Sequence, residues 1–171
     1  VPAILYGMLT LVILNLTDLK NKNVVIGGSL ALALLILPVV ILTTREALRA
    51  VPQEIRDGSL ALGATEVQTV MKQTLPAAIP GIATGTILAV SRAIGEAAPL
   101  LLLGALVFIT YDPNSLLSGF TTMPIQIFGW TGAPQEEFKT LAAATSMLLL
   151  VILISMNSLA IYIRNKFAKR W

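Results

Sequence analysis

The stretch "SRAIGEAAP" at residues 91–99 places two charged side chains, Arg92 and Glu96, inside a run that is otherwise almost wholly apolar. The guanidinium group of arginine carries five hydrogen-bond donors in a planar fork that matches carboxylate and phosphate oxygens. A charge at the centre of a bilayer costs about 2.5–3.5 kcal/mol on insertion scales, so it needs a partner or water. These two residues are therefore the first candidates for chemistry in the sequence.

The sequence contains no histidine and no cysteine. It therefore lacks the commonest general base, histidine-dependent nucleophilic triads and nearly all zinc-ligand patterns. It also contains no G-x-x-x-x-G-K-[ST] segment, so it has no Walker phosphate-binding loop of its own. We predict a chain that is not an enzyme, with no catalytic residues, no metal site and no cofactor.

Composition indicates an integral membrane protein, because 56% of the 171 residues are hydrophobic and only 12% are charged. A soluble domain carries about 25% charged residues. Only helices and closed barrels satisfy all backbone groups in lipid, and the sequence does not show the alternating pattern of barrel strands. We therefore predict an all-α membrane protein, a polytopic helical bundle that forms a single transmembrane domain over residues 1–171.

Four apolar runs, residues 2–16, 24–43, 77–109 and 141–163, predict about four spans. The first is short, and the chain opens at "VPAILYG" without methionine or a basic stretch, so we expect the interior of a helix in an N-terminally incomplete chain. The third run has about 33 residues, or about 50 Å of helix, which is too long for one simple span. We expect it to break at Gly95 and Pro99.

Positive charges are distributed unevenly between the segments that connect these runs. Eight lie in residues 44–76 and in the C-terminal tail, and three lie in the other connections. By the positive-inside rule, the 44–76 segment and the C-terminus are cytoplasmic. The eight are Arg45, Arg49, Arg56, Lys72, Arg164, Lys166, Lys169 and Arg170, and the three are Lys20, Lys22 and Lys139.

The 44–76 segment predicts two short amphipathic helices joined at Gly63 and Ala64. Leu48, Val51 and Ile55 recur at helical spacing, and Pro52 suits the first position of the first helix. Gly63 is typical of a residue that stops a helix in the left-handed conformation. Thr65 with Gln68 predicts a capping box for the second helix, which ends at Leu75 and Pro76. Its apolar face comprises Val67, Val70, Met71 and Leu75.

Two interpretations of this loop remain open. The helices could lie on lipid headgroups, or they could dock a cytoplasmic partner. The loop has four acidic and four basic residues, whereas a face that binds lipid is clearly cationic, so its charge favours the docking element.

The run after Pro76 carries a stripe of small residues at every fourth position. The stripe contains a G-x-x-x-G pattern, which predicts close helix packing by Gly81, Gly85 and Ala89. The neighbouring stripe contains Thr84, Arg92 and Glu96, with Ser91 beside it.

The stripe that carries the charges has three interpretations. Arg92 and Glu96 could form an ion pair that fixes helix packing. Alternatively, Arg92 could face a solute pathway, lined also by Thr84 and Ser91, with Glu96 as a counter-ion that lets a bound anion leave. A third possibility is an arginine whose charged end reaches the outer interface.

Residues 57–76, "DGSLALGATEVQTVMKQTLP", resemble the cytoplasmic loop of permease subunits of bacterial ABC importers, whose pattern is E-A-A-x₃-G-x₉-I-x-L-P. Gly63, Leu75 and Pro76 occupy the pattern positions, whereas Asp57-Gly58-Ser59 replaces Glu-Ala-Ala and Gln73 replaces isoleucine. The resemblance implies a fold of the MetI-like permease type. It also implies docking of a separate ATPase by residues of this loop, namely Asp57, Ser59, Leu60, Leu62, Gly63 and Ala64, with the two leucines as buried contacts.

Four further segments, "RAIGEAAPLLLLGAL", "TTMPIQIFGW", "EEFKTLAAA" and "NSLAIYIRNKFAKRW", resemble the phosphate-importing members of that family. The resemblance implies a phosphate pathway in the bacterial inner membrane. The implied partners are a homologous permease subunit, cytoplasmic ATP-binding subunits, a periplasmic phosphate-binding protein and the lipid bilayer, without nucleic acid. Alternatives are a permease for molybdate or sulfate, or a channel or membrane scaffold without a motor.

Overall fold

The computed structural model describes residues 2–17, 23–105 and 109–167, with no side chain for Phe167, and its regular structure there is helical. The elements are α1 (Ala3–Leu16), α2 (Val25–Arg49), α3 (Gln53–Ala61), α4 (Glu66–Thr69), a π-helical turn (Val70–Thr74), α5 (Leu75–Ile94), α6 (Ala98–Leu102), α7 (Met123–Thr131) and α8 (Glu136–Phe167). The all-α prediction is confirmed.

Three helical stretches are long and apolar enough to cross a membrane. They are α2, the continuous stretch Glu66–Ile94, and Glu136–Lys166 of α8. The first predicted run, residues 2–16, is also helical, but α1 has 14 residues and is about 21 Å long, shorter than the hydrocarbon core of about 30 Å. The described residues therefore contain three full-length candidate spans and one shorter apolar helix.

The predicted break in the third apolar run is present. Helix α5 ends at Ile94, and the amides of Gly95 and Glu96 donate to carbonyl groups only three residues earlier. Pro99 lies in the first turn of α6, where its missing N–H costs little. Because the break precedes Glu96, Arg92 and Glu96 do not share one helix face, and that part of the sequence prediction is wrong.

The prediction that a helix ends at Pro76 is also wrong, because the chain stays helical from Glu66 to Ile94. The amide of Leu75 donates to the carbonyl of Val70, five residues earlier. This wider turn lies immediately before Pro76, where the hydrogen-bond ladder has to accommodate a residue without an N–H. The proline therefore shifts the ladder and does not end the helix.

Leu48, Val51 and Ile55 do not form one helical face. Leu48 belongs to α2, Val51 lies in the connection, and Ile55 belongs to α3. Pro52 precedes the first helical residue of α3 as its N-cap and is not the first helical residue itself. The segment between the long helices is thus shorter than residues 44–76, because α2 extends to Arg49.

The chain divides into two compact units, the first of which comprises Val1–Ile36 and Arg92–Ile154. In this unit α1 packs on α6 so closely that a Cβ on Gly7 would lie 2.8 Å from the carbonyl oxygen of Pro99. The ring of Phe120 packs against Gly28 of α2. Buried residues form two clusters, one of Leu100, Ala105, Phe120 and Ile125 and one of Leu14, Ala31 and Leu103.

The second unit comprises Leu37–Ser91 and Ser155–Trp171. It contains the C-terminal half of α2, α3, α4, most of α5 and the end of α8. Within it, α2 and α5 are antiparallel neighbours, because Ala47 faces Gly81 and Thr43 faces Gly85. Thr84 of α5 lies against Ala160 of α8.

Candidate functional site

Helix α3 ends in a motif that depends on glycine. The amide of Gly63 donates to the carbonyl of Leu60 at 2.9 Å, and the amide of Ala64 donates to that of Ser59 at 3.2 Å. This pair of bonds is the Schellman motif, which needs a left-handed residue at its centre. Gly63 has φ +85°, so the predicted stop is confirmed.

Helix α4 begins with a complete capping box. The amide of Gln68 donates to the hydroxyl oxygen of Thr65 at 3.3 Å, and the amide of Thr65 donates to the side-chain oxygen of Gln68 at 3.0 Å. The two bonds satisfy amides that a helix start leaves without partners. Local sequence therefore sets both sides of the turn between α3 and α4.

A pair of hydroxyl groups holds α3 against α4. The oxygen atoms of Ser59 and Thr69 are 2.9 Å apart, and Thr69 is buried. Ser59 therefore contacts this chain's own next helix, which argues against its predicted role as a direct docking contact. Ala64 is half-buried in the turn.

Arg56 joins α3 to the end of α2. Its Nη2 donates to the carbonyl oxygen of Leu48 at 2.7 Å, and a cation is stabilised by the last carbonyl groups of a helix. A hydrogen bond to a charged group contributes about 1.5–3 kcal/mol. The sequence prediction counted Arg56 only as a cytoplasmic charge and did not identify this contact.

The remaining face of α3 is open. Asp57, Leu60, Leu62 and Gly63 are exposed, and Leu62 is 91% exposed. On this face the side-chain amide of Gln53 donates to the carboxylate of Asp57 at 3.2 Å. Leu60 and Leu62 thus form an apolar surface at the end of α3 that the residues with described positions leave uncovered.

The charge pair lies in the first unit, at the end of α5. The Nε atom of Arg92 is 3.8 Å from Oε1 of Glu96, and their side chains are 62% and 20% exposed. A 3.8 Å contact in which the arginine is open to the surroundings holds that side chain weakly. The guanidinium group is thus held loosely and keeps donors for another acceptor.

The two hydroxyl residues predicted beside this pair are buried. Thr84 donates to the carbonyl of Pro80 at 2.8 Å and also reaches that of Ala160 at 3.5 Å. Ser91 is 4% exposed. Neither hydroxyl is open to a solute in this conformation, so the expectation that they line the pathway is not supported, and the geometry of Thr84 is that of a packing contact.

The small-residue stripe of α5 lies against α2. A Cβ on Gly81 would be 2.9 Å from that of Ala47, and one on Gly85 would be 2.5 Å from that of Thr43. Ala89 is 1% exposed. This geometry accords with the close packing expected of these three positions.

Across the described ranges, no three acidic residues cluster closely enough to hold a metal ion.

Residues 1–169 match the model of a protein family that is described as "Binding-protein-dependent transport system inner membrane component". The chain belongs to this family. The family consists of permease subunits of ABC transporters and not of enzymes, so this chain is an inner membrane component. This assignment confirms the family and the membrane class expected from the sequence.

Several curated relatives are similar to this permease chain. The "Probable ABC transporter permease protein YqgI" of Bacillus subtilis is 41% identical over 74% of the chain and 43% of the relative. The phosphate transport system permease protein PstA of Yersinia pestis is 35% identical over 84% of the chain and 47% of its own length. PstA 1 of Mycobacterium tuberculosis is 33% identical over 83% and 46%.

The chain spans about half the length of the curated relatives it matches. No solved structure matches it significantly. Some of the charges used for the orientation, Lys20, Lys22, Lys169 and Arg170, lie outside the described residues.

Proposed function

We propose that this permease chain forms part of the translocation pathway for inorganic phosphate in an ATP-driven importer. The observation that carries the proposal is the α3–α4 turn, whose leucines Leu60 and Leu62 are left exposed by the residues that the structure describes. A passive channel or a membrane scaffold has no need of such an element. The names of the PstA relatives support phosphate as the solute.

Residues 50–65 and the C-terminus face the cytoplasm in this proposal, in agreement with the positive-inside rule. Asp57, Leu60, Leu62 and Gly63 form the surface for the ATPase, and Ala64 completes the turn. The partners are a homologous PstC-like permease, PstB-like ATP-binding subunits and a periplasmic phosphate-binding protein, all within or beside the lipid bilayer.

Arg92 is the proposed anion contact and Glu96 its counter-ion. Because the pair is loose and Arg92 is more than half exposed, its guanidinium can exchange Glu96 for a phosphate oxygen. An exposed arginine in an apolar environment also requires water or a protein partner nearby. Both requirements are met if this side of α5 lines an aqueous pathway.

The identity of the solute can be tested by measuring uptake of labelled phosphate by the complete transporter, with sulfate and molybdate as competitors. We expect unlabelled phosphate to compete and the other two anions to compete poorly. Stronger competition by sulfate or molybdate would reassign the solute. Uptake that does not depend on ATP would contradict the importer assignment.

Co-purification of the ATP-binding subunit tests the docking surface. Leu62→Asp should release the subunit, because it places a charge in an apolar contact, whereas Leu116→Asp is a matched change at another exposed leucine and should retain it. A deletion of residues 57–64 should behave like Leu62→Asp. If the deleted chain still retained the ATP-binding subunit, the docking surface would lie elsewhere.

A further inference from the structure

The carbonyl group of Leu48 cannot receive a helical hydrogen bond from the residue four positions later. That residue is Pro52, and proline has no N–H. The guanidinium group of Arg56 supplies the missing donor at 2.7 Å. The end of α2 is thus completed by a side chain that belongs to α3.

The guanidinium group is committed to this contact. Arg56 is half-buried, and its Nε atom is enclosed without an acceptor in the described part of the chain. It forms no ion pair there, in contrast to Arg49, which lies 3.9 Å from the carboxylate of Glu46. Arg56 is therefore held by a backbone carbonyl and by packing, not by an acidic side chain.

Helix α3 has a second bonded contact at its other end, where Ser59 meets Thr69. One short helix is therefore bonded to the end of α2 and to the start of the continuous stretch Glu66–Ile94. Three non-helical residues, 50–52, link α3 to α2 along the chain. The Arg56 bond therefore adds a side-chain link between α3 and the end of α2 to the link along the backbone.

We propose that Arg56 is a positioning residue that transmits movement of α3 to α2. The inference rests on the proposed function, since it takes the ATP-binding subunits as the source of the movement. A displacement of α3 then acts on α2 through the Leu48 carbonyl and on the stretch Glu66–Ile94 through Ser59 and Thr69. A movement of α3 would therefore reach both long helices.

The test is the ratio of phosphate taken up to ATP hydrolysed by the complete transporter in proteoliposomes. Arg56→Met keeps most of the apolar side chain but has no donor, so the ratio should fall at least about fivefold while ATP hydrolysis and subunit assembly persist. Arg56→Lys keeps one donor and should give an intermediate ratio. Arg49→Met removes a neighbouring charge that is exposed and paired with Glu46 of the same helix, and it should leave the ratio unchanged.

An unchanged ratio in both Arg56 variants would overturn the proposal. So would a proportionate loss of assembly, hydrolysis and uptake, because that is the signature of a purely structural residue. If the transporter with Arg56→Met did not assemble, Arg56→Lys would be the deciding variant. A lowered ratio of phosphate uptake to ATP hydrolysis would support the proposal, and an unchanged ratio would overturn it. Failure of the proposed function is distinguishable, because the unaltered transporter would then show no ATP-dependent phosphate uptake.

Discussion

Gly85 of α5 packs directly against Thr43 of α2, and a Cβ atom on Gly85 would lie 2.5 Å from both Cβ and Oγ1 of Thr43. Real Cβ atoms do not approach other atoms so closely, so the two backbones are near enough that only glycine fits. Together with Gly81 against Ala47, this contact fixes the position of α5 on α2. The small-residue pattern of the sequence thus corresponds to a specific pair of antiparallel helices.

Substitution of Gly85 by alanine should destabilise the protein by about 1–3 kcal/mol, because the added methyl group forces α2 and α5 apart. Gly58 provides a matched control, since a Cβ there would meet nothing within 4 Å. Gly58→Ala lies inside α3 and should instead stabilise that helix by about 0.5–1 kcal/mol. The midpoint of thermal unfolding in detergent measures both effects, and a lower midpoint for Gly58→Ala than for Gly85→Ala would contradict the packing.

Gly63→Ala should weaken the α3–α4 turn although there is room for a methyl group. The left-handed conformation costs about 1–2 kcal/mol for a residue with a Cβ. We expect weaker retention of the ATP-binding subunit during purification. Gly63→Asn should retain more of it, because asparagine tolerates this conformation better. Equal retention by the alanine and asparagine variants would show that the conformation of Gly63 is not what matters.

Removal of the Arg92 charge should affect transport and not stability. Since the contact with Glu96 is long and Arg92 is more than half exposed, Arg92→Gln should change the free energy of unfolding by less than about 1 kcal/mol. Uptake of labelled phosphate should be abolished while the subunits still assemble. If assembly collapsed instead, the pair would be a packing clamp, the alternative that the sequence left open.

Two threonines of the same continuous helix should respond oppositely to the same substitution. The hydroxyl oxygen of Thr74 is buried and has no hydrogen-bond partner among the described residues, so Thr74→Val should stabilise the protein by about 1 kcal/mol. Thr84→Val removes a bonded hydroxyl and should destabilise it by about 0.5–1.5 kcal/mol. Thermal unfolding compares the two variants directly, and a stabilising Thr84→Val would contradict the hydrogen bond.

Thr84→Val also tests whether Thr84 lines the pathway. Because the hydroxyl is buried and bonded to backbone carbonyls, we expect phosphate uptake per assembled transporter to be unchanged. A loss of uptake without a loss of assembly would instead show that Thr84 lines the pathway, as its predicted position on the same stripe as Arg92 suggested.

The sequence by itself determined the features that depend on neighbouring residues. The stop at Gly63, the capping box of Thr65 and Gln68, and the break before Pro99 follow from local backbone geometry and from hydrogen bonds within a few positions. The membrane class follows from composition, because a chain so apolar cannot be covered by its own polar surface.

Only the tertiary structure decided which side chains meet across the fold. Pro76 predicted a helix end, yet the preceding π-helical turn accommodates the proline and the helix continues. The sequence placed Thr84 and Arg92 on the same helical stripe. In the structure Thr84 is buried against Ala160 of α8, whereas Arg92 is exposed. The contact of Arg56 with Leu48 depends on how the chain turns at Pro52, because a backbone carbonyl becomes available only where packing brings a donor to it.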